Sequence, residues 1–488
     1  MSMNIQDITT LGALKKQGYV SKRIKAELRD NLMEKLKKKA PLFEGIIGYE
    51  HTVIPQLIHA ILSQHNINLL GLRGQAKTRI ARSLTNLLDE YIPVVEGSEI
   101  NDDPMDPISF YAKELLAKEG DNTPITWVHR SERFSEKLAT PDVTVADLIG
   151  DVDPIKAANL KLSYADERVI HFGMIPRANR CIFVINELPD LQARIQVALF
   201  NILQEGDVQI RGFKIRLPLD VNFVFTANPE DYTNRGSIVT PLKDRIGSQI
   251  ITHYPNSIEL SKAITSQEVT KHIESDSIYV PELAKTLIEQ IGFEARSNEL
   301  IDAKSGVSAR MSITMYENLI SGATYRMLMS NQKKTSVRMT DFIAVIPAIT
   351  GKVELVYEGE QEGAENVALL LLGNAIKTLF NQSFREIKKL SKPGSSDEFD
   401  QVVSWFMENS SFSLSSDLSD KEYAEILNNV VPLEEIVEMY QVLASEKDKL
   451  FLKEFLLWGL VEYNKLDKQE NKGGFQFEDR VLGSFYNN

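Results

Sequence analysis

The chain has 488 residues, enough for about three domains at roughly 150 residues each, and its 55 basic against 68 acidic side chains leave a net charge of −13. That balance argues against a protein held to nucleic acid mainly by phosphate contacts, although a local basic patch remains compatible with it. A single cysteine, Cys181, excludes an internal disulfide framework and a Cys-rich zinc site, and fits a reducing, cytoplasmic setting.

Residues 1–40 form a basic segment that includes Lys15, Lys16, Lys22, Arg23, Lys25 and the run Lys37 to Lys39. It lacks the apolar core and small-residue cleavage site of a secretory leader. Ile24, Leu28, Leu32 and Leu36 recur at helical spacing between Ser21 and Lys39. The expectation is an amphipathic helix packed on the next domain; the alternative is an arm that docks on a polyanion or an acidic neighbour.

Asn66 to Leu70 is a short apolar run that reads as a buried parallel strand. Gly71-Leu72-Arg73-Gly74-Gln75-Ala76-Lys77-Thr78 follows, and a helical segment begins at Arg79. Strand, glycine-rich loop and helix is the setting of a phosphate-binding loop. Its backbone N–H groups can surround a triphosphate. Lys77 would neutralise the β- and γ-phosphates, and the Thr78 hydroxyl would hold Mg2+. Ala76 stands where the second glycine of the pattern is usual.

A second apolar strand, Cys181 to Ile185, ends in Asn186-Glu187, the layout of a Walker B strand about 110 residues after the loop. Glu187 can orient or deprotonate an attacking water. Asn186 can hydrogen-bond a Mg2+-bound water but brings no negative charge, so turnover could be reduced. A third strand, Val221 to Ala227, ends at Asn228, which is placed to hold the lytic water. Arg245, in Thr240-Pro241-Leu242-Lys243-Asp244-Arg245, can act as an arginine finger on a neighbouring subunit's nucleotide. Gly306-Val307-Ser308-Ala309-Arg310 opens a further helix, with Ser308 as the expected N-cap and Arg310 in reach of a γ-phosphate.

The run from Val367 to Phe380 is interrupted by Gly373, Asn374 and Lys377 and falls short of the roughly 20 residues of a bilayer helix. It reads as a buried helix, and no membrane association is expected. Beyond Lys392-Pro393-Gly394-Ser395-Ser396 the chain is acidic, with helical periodicity over Phe399 to Met407 and Leu433 to Leu443. The seven histidines show no metal-ligand spacing.

Taken together, these stretches resemble the MoxR and magnesium-chelatase branch of the AAA+ ATPases, the clade with an insert in helix 2. Further segments carry the resemblance. Ile46 to Glu50 resembles the adenine-side segment, with Gly48 and Tyr49. Asp147 to Pro154 is similar to the start of the insert, and Gly173 to Arg180 to the approach to Walker B. Asp207 to Arg216 resembles the pre-sensor hairpin, with Gly212 at its turn and Val208/Ile210 and Phe213/Ile215 alternating on either side. Thr226 to Arg245 is the most specific stretch.

The resemblance implies an α/β AAA+ P-loop core with a parallel sheet, an all-α lid and a helical C-terminal region. The corresponding bounds are 1–40 for the basic arm, 41–255 for the core, 256–390 for the lid and 391–488 for the acidic region. It implies ATP held by Gly48, Tyr49, Gly71, Arg73, Gly74, Gln75, Ala76, Lys77, Thr78 and Arg79. It implies Mg2+ at Thr78 and Asn186, and catalysis by Glu187, Asn228, Arg245 and Arg310. It further implies a ring, usually of six subunits, a partner with a von Willebrand factor A-type domain, and chaperone-like action on an unidentified client. The alternatives are the motor subunit of a metal-chelatase-type complex and a nucleotide-gated scaffold with little turnover. An enhancer-binding transcription regulator is disfavoured because neither its Gly-Ala-Phe-Thr-Gly-Ala loop nor a helix-turn-helix end is present.

Overall fold

The computed structural model describes residues 7–164, 166–210, 216–229, 237–270, 276–384, 398–409, 412–415, 418–441, 444–471 and 474–479. The chain divides into two compact units, 1–253 and 254–488.

The first unit is built on five parallel strands: β1 (Ile67–Leu70), β2 (Phe134–Leu138), β3 (Cys181–Asn186), β4 (Val221–Ala227) and β5 (Ser248–Ile251). Their order across the sheet is β5-β1-β4-β3-β2. β4 is buried throughout and β3 is buried up to Asn186, as expected of central parallel strands covered on both faces. Alternate residues serve the two faces. Ile182, Val184 and Val224 join one apolar core with Ile80 and Leu57. Phe183, Ile185, Phe223 and Phe225 join the other with Ile195 and Leu199 of the helix Ala193–Glu205. The parallel sheet with helices on both faces is the α/β arrangement expected from the strand and loop motifs.

Three insertions decorate the sheet. An antiparallel pair, Tyr91–Val95 with Ile125–His129, and the helix Phe110–Glu119 lie between the loop helix and β2. Residues 139–180, between β2 and β3, carry a short pair, Gly150–Val152 with Ile170–Phe172, and the helix Pro154–Leu160. Before β4, Asp207–Gln209 pairs with Arg216–Pro218, placing Val208 opposite Leu217. The expected turn at Gly212, with Phe213 and Ile215, lies outside the described residues.

The basic segment contains the helix Ile24–Lys37, which buries Ile24, Leu28 and Leu32 and leaves Leu36 40% exposed. Its anchor is an acid. Glu27, 3% exposed, receives two hydrogen bonds at 2.6 and 2.7 Å from the guanidinium of Arg133, 1% exposed. Glu27 Oε1 also accepts Asp89 N–H at 2.7 Å, and Arg133 Nε donates to the Arg180 carbonyl at 3.0 Å.

The same helix start is tied to Asp220, whose Oδ2 accepts Ile24 N–H at 2.6 Å. Burial pushes the Asp220 carboxyl above its ordinary value, against the pull of its N–H partner and of Arg180. A carboxyl raised in the folded state stabilises fully below its unfolded pKa, and that contribution is lost as pH rises through the folded value. Asp220→Asn keeps an oxygen for Ile24 N–H and removes the buried charge. It is expected to leave stability at neutral pH unchanged or higher, with the gap between variant and wild type closing or reversing as pH falls towards 4. Denaturant melts across that pH range check this; a variant less stable at pH 7 than at pH 4, relative to wild type, contradicts it.

The second unit has one continuous apolar core that runs from Ile278 to Phe477. The helix Ala364–Ser383 buries Leu371, Leu372, Ile376, Leu379 and Phe380, while Leu369 and Leu370 face outward. The two expected acidic helices are present as Asp400–Glu408 and Val431–Tyr440. Periodicity did not indicate the antiparallel sheet of Phe412–Ser415, Gly474–Asp479 and Leu466–Asn471, in that spatial order. Among the described residues, no helix is long and apolar enough to cross a membrane.

Candidate functional site

Register brings the three sequence motifs to one edge. Leu70 lies opposite Ala227, Phe225 opposite Ile185, and Leu138 opposite Asn186. The residues that follow β1, β4 and β3 therefore emerge side by side at the C-terminal end of a parallel sheet, where open α/β folds bind ligands. These are the loop from Gly71, then Asn228, and the pair Asn186-Glu187.

The loop is built tightly. Gly71 N–H donates to the Ala227 carbonyl at 3.1 Å. A Cβ at Gly71 would collide with Thr252 Oγ1 and Gln75 Oε1, so a side chain there would have to displace the Thr252–Gln75 contact. Gln75 is buried, and its Oε1 accepts the Thr252 hydroxyl at 2.7 Å. Its side chain thus supports the loop from beneath. The Tyr49 hydroxyl lies 3.0 Å from the Gln75 carbonyl and 2.7 Å from the His253 carbonyl, which ties the segment around Gly48 to the loop. Arg73, Ala76, Thr78 and Arg79 are exposed, and Gly74 is half-buried with φ +73°.

Ala76, the departure from the loop pattern, has φ 56° and ψ 18°. The left-handed region costs an L-residue roughly 1–2 kcal/mol relative to right-handed helix, so the usual glycine is absent where the backbone still needs it. Ala76→Gly is expected to gain up to about 1 kcal/mol of stability after the entropy of the extra glycine is subtracted. A lower thermal midpoint in the variant would contradict the strain.

Lys77 Nζ donates to the carbonyls of Gly71 and Leu72, the latter at 2.9 Å, and to Asn228 Oδ1 at 2.7 Å. The loop lysine and the end of β4 are thus in direct contact. Glu187 has a left-handed backbone, φ 56° and ψ 48°. Its N–H donates to Thr226 Oγ1 at 3.1 Å, and the Thr226 hydroxyl donates to Asn186 Oδ1 at 3.2 Å. One threonine therefore holds both members of the Asn186-Glu187 pair. Backbone strain held in place by neighbouring bonds is common at functional sites.

Sequence reading missed three supports. Thr252 and His253 carry no motif of their own, and Thr226 opens the stretch Thr226 to Arg245 without a role assigned to its side chain. Thr226 and Thr252 had one faint signal: each is a polar residue at or just past the end of an apolar strand.

Arg245 ends the helix Thr240–Arg245. Its guanidinium lies 5.0 Å over the Phe200 ring, gives Nε and Nη2 to Gln204 Oε1 at 3.1 and 2.8 Å, and gives Nη1 to the Pro241 carbonyl. Buried Gln196 fixes the approach to this helix by accepting Val239 N–H at 2.9 Å and donating to the Ser237 carbonyl at 3.2 Å. Arg310 belongs to the second unit, exposed in the first turn of the helix Arg310–Met329. The N-cap there is Ala309, not Ser308. The Ser308 hydroxyl instead accepts Arg310 N–H at 3.1 Å, so it caps the same end from one residue earlier.

Among the described residues no three His, Cys, Asp or Glu side chains form a metal-holding group. Thr78, exposed at the helix start, offers a free approach to a cation. Asn186 Oδ1 is neutral and already accepts the Thr226 hydroxyl. The fit is that of a cation brought in with phosphate oxygens rather than one held by protein alone. Cys181 is no part of this chemistry, because burial pushes its thiol up to about 11.

No protein-family model and no curated protein matches the chain. Solved structures do. The complex of the BchI and BchD subunits of magnesium chelatase is 19% identical, over 65% of this chain and 98% of that one, at a TM-score of 0.35. A single-substitution form of Thermotoga maritima RuvB is 11% identical, over 90% and 95%, at 0.34. Hsp104 with ATPγS and FITC-casein is 12% identical, over 67% and 53%, at 0.38.

Proposed function

We propose that this chain is an ATP hydrolase of the AAA+ type that works as a ring and uses the nucleotide cycle to remodel a client protein. The observation that carries the reading is the 2.7 Å contact between Lys77 Nζ and Asn228 Oδ1. It joins a phosphate-binding loop to a polar strand end, one strand away from Glu187. In this reading Lys77 exchanges its carbonyl partners for β- and γ-phosphate oxygens. Asn228, released by that exchange, turns to the attacking water, and Glu187 takes its proton. Mg2+, entering with the nucleotide near Thr78 and Asn186, would offset phosphate charge. Arg245 reaches a neighbouring subunit's nucleotide. The finer assignment is to the MoxR and magnesium-chelatase type, as a hexamer with a von Willebrand A-type partner, and it rests on the sequence motifs alone.

The test is complementation. Arg245→Ala is expected to lower turnover about a thousandfold, the lower range for loss of an arginine finger. Mixing it with Lys77→Ala, itself strongly impaired, is expected to restore turnover above that of either variant alone, because some interfaces then pair an intact loop with an intact arginine. An Arg245→Ala protein of wild-type activity sinks the ring mechanism. A second reading, a scaffold assembled by nucleotide with little turnover, is favoured by the neutral, already hydrogen-bonded Asn186. Native mass with ATP and with ADP, set beside the turnover rate, separates the two.

A further inference from the structure

A cavity of about 360 Å3 opens in the first unit between the helix Phe110–Glu119 and the insertion that carries Pro154–Leu160 and Ile170–Phe172. Its walls include Phe110, Tyr111, Leu160 and Phe172. Three of them are unusually open for large apolar side chains: Phe110 is 38% exposed, Tyr111 48% and Leu160 51%. None of the lining residues belongs to the strand-end site.

The rim is charged and unbalanced. Lys156 Nζ sits 3.7 Å from Glu99. Arg168 binds Asp166 through Nε and Nη2 at 2.9 and 2.6 Å, with its guanidinium 5.6 Å over the Phe110 ring. Both cations are thus already matched by a carboxylate. Glu114 and Glu167 also line the cavity. Neither makes a salt bridge among the described residues, although Arg168 feels Glu114 at longer range. Four carboxylates against two cations leave two negative charges beside an open aromatic wall.

We infer that this cavity receives a peptide segment in which an aromatic or aliphatic side chain adjoins a lysine or arginine. The volume is at the small end of ligand cavities, roughly 300–1,000 Å3, and suits one large side chain and the stem of a second. Arg168 already lies over the Phe110 ring, so an incoming cation gains from the ring of Tyr111 and from Glu114 and Glu167, while Phe110 offers apolar surface. An acidic residue there would meet like charge. That the segment belongs to a client rests on the remodelling reading; the cavity's preference rests only on its lining.

The probe is a fluorescein-labelled peptide, Gly-Ser-Phe-Arg-Leu-Lys-Ser-Gly, titrated into the full-length protein at low salt and followed by anisotropy. Its counterpart carries glutamate in place of arginine and lysine. The cationic peptide is expected to bind, and the acidic one to bind about tenfold weaker, in keeping with the loss of one or two close charge contacts. Glu114→Gln with Glu167→Gln should bring the cationic peptide down by about the same factor and flatten its salt dependence. Phe110→Ser, an exposed site, should remove binding of both. Equal binding of the two peptides, no change in the double variant, or no binding by wild type each overturns the inference. ATP turnover and thermal midpoint are read on the same preparations. Peptide preference without turnover would sink the remodelling reading and leave the cavity assignment standing; turnover without peptide preference would do the reverse.

Discussion

Lys77→Ala is expected to lower ATP turnover about a hundredfold to a thousandfold, the loss typical when one preorganised charge facing a transition state is removed. Nucleotide affinity should fall as well, because the loop then offers the phosphates only backbone dipoles. The variant should stay folded. Lys77 is only half-buried, and the Gly71 and Leu72 carbonyls it leaves lie at a loop that water can reach. Phosphate release under saturating ATP, with circular dichroism as the folding control, checks it. A folded variant with wild-type turnover would mean that the loop does not hold a nucleotide.

The largest expected effect on stability lies far from that loop in sequence. Glu27→Ala should destabilise the first unit by about 3–5 kcal/mol, because it strands the Arg133 guanidinium in a nearly water-free site. Arg133→Ala should do similar harm by stranding Glu27. Replacing both with methionine should be milder than either single change, since a buried ion pair often breaks even with apolar side chains of similar volume. Urea denaturation of the three variants measures this. Losses in the double variant equal to the sum of the two single losses would contradict a coupled pair.

These two cases also mark what the sequence made legible. The candidate site could be read because its parts are local. A strand, a glycine-rich turn and a lysine sit within twelve residues of one another, from Asn66 to Lys77. Asn186-Glu187 and Asn228 each end an apolar run, so their placement at a strand end needs no knowledge of distant residues. The parallel register then brings them together.

Long-range pairing was not legible. Glu27 and Arg133 stand 106 positions apart, and nothing in a helical repeat of Ile24, Leu28 and Leu32 marks Glu27 as buried. The hairpin of Tyr91–Val95 with Ile125–His129 and the C-terminal sheet were missed for a related reason. Their strands are short, and Leu466–Asn471 is mostly polar, so alternation gives little signal. Thr226 shows the same limit on a smaller scale. Its place between Asn186 and Glu187 depends on which strand lies beside β4, and only the fold decides that.

The strained backbones add a point that motif matching cannot supply. Ala76 and Glu187 both occupy the left-handed region, one in the loop and the other at the end of β3. The surrounding hydrogen bonds, from Thr226 in the case of Glu187, hold a conformation that the side chain alone would not choose. Replacement by a β-branched residue at either position would add to that strain, whereas glycine relieves it.

The most direct test pairs nucleotide binding with phosphate release in wild type and Glu187→Gln. A fluorescent ATP analogue should bind both proteins with similar affinity, because the glutamine leaves the Lys77 loop untouched. Only wild type should release phosphate, with the variant slower by about a hundredfold or more. A wild-type protein that binds no adenine nucleotide, or a Glu187→Gln protein that hydrolyses ATP as fast as wild type, would contradict the account.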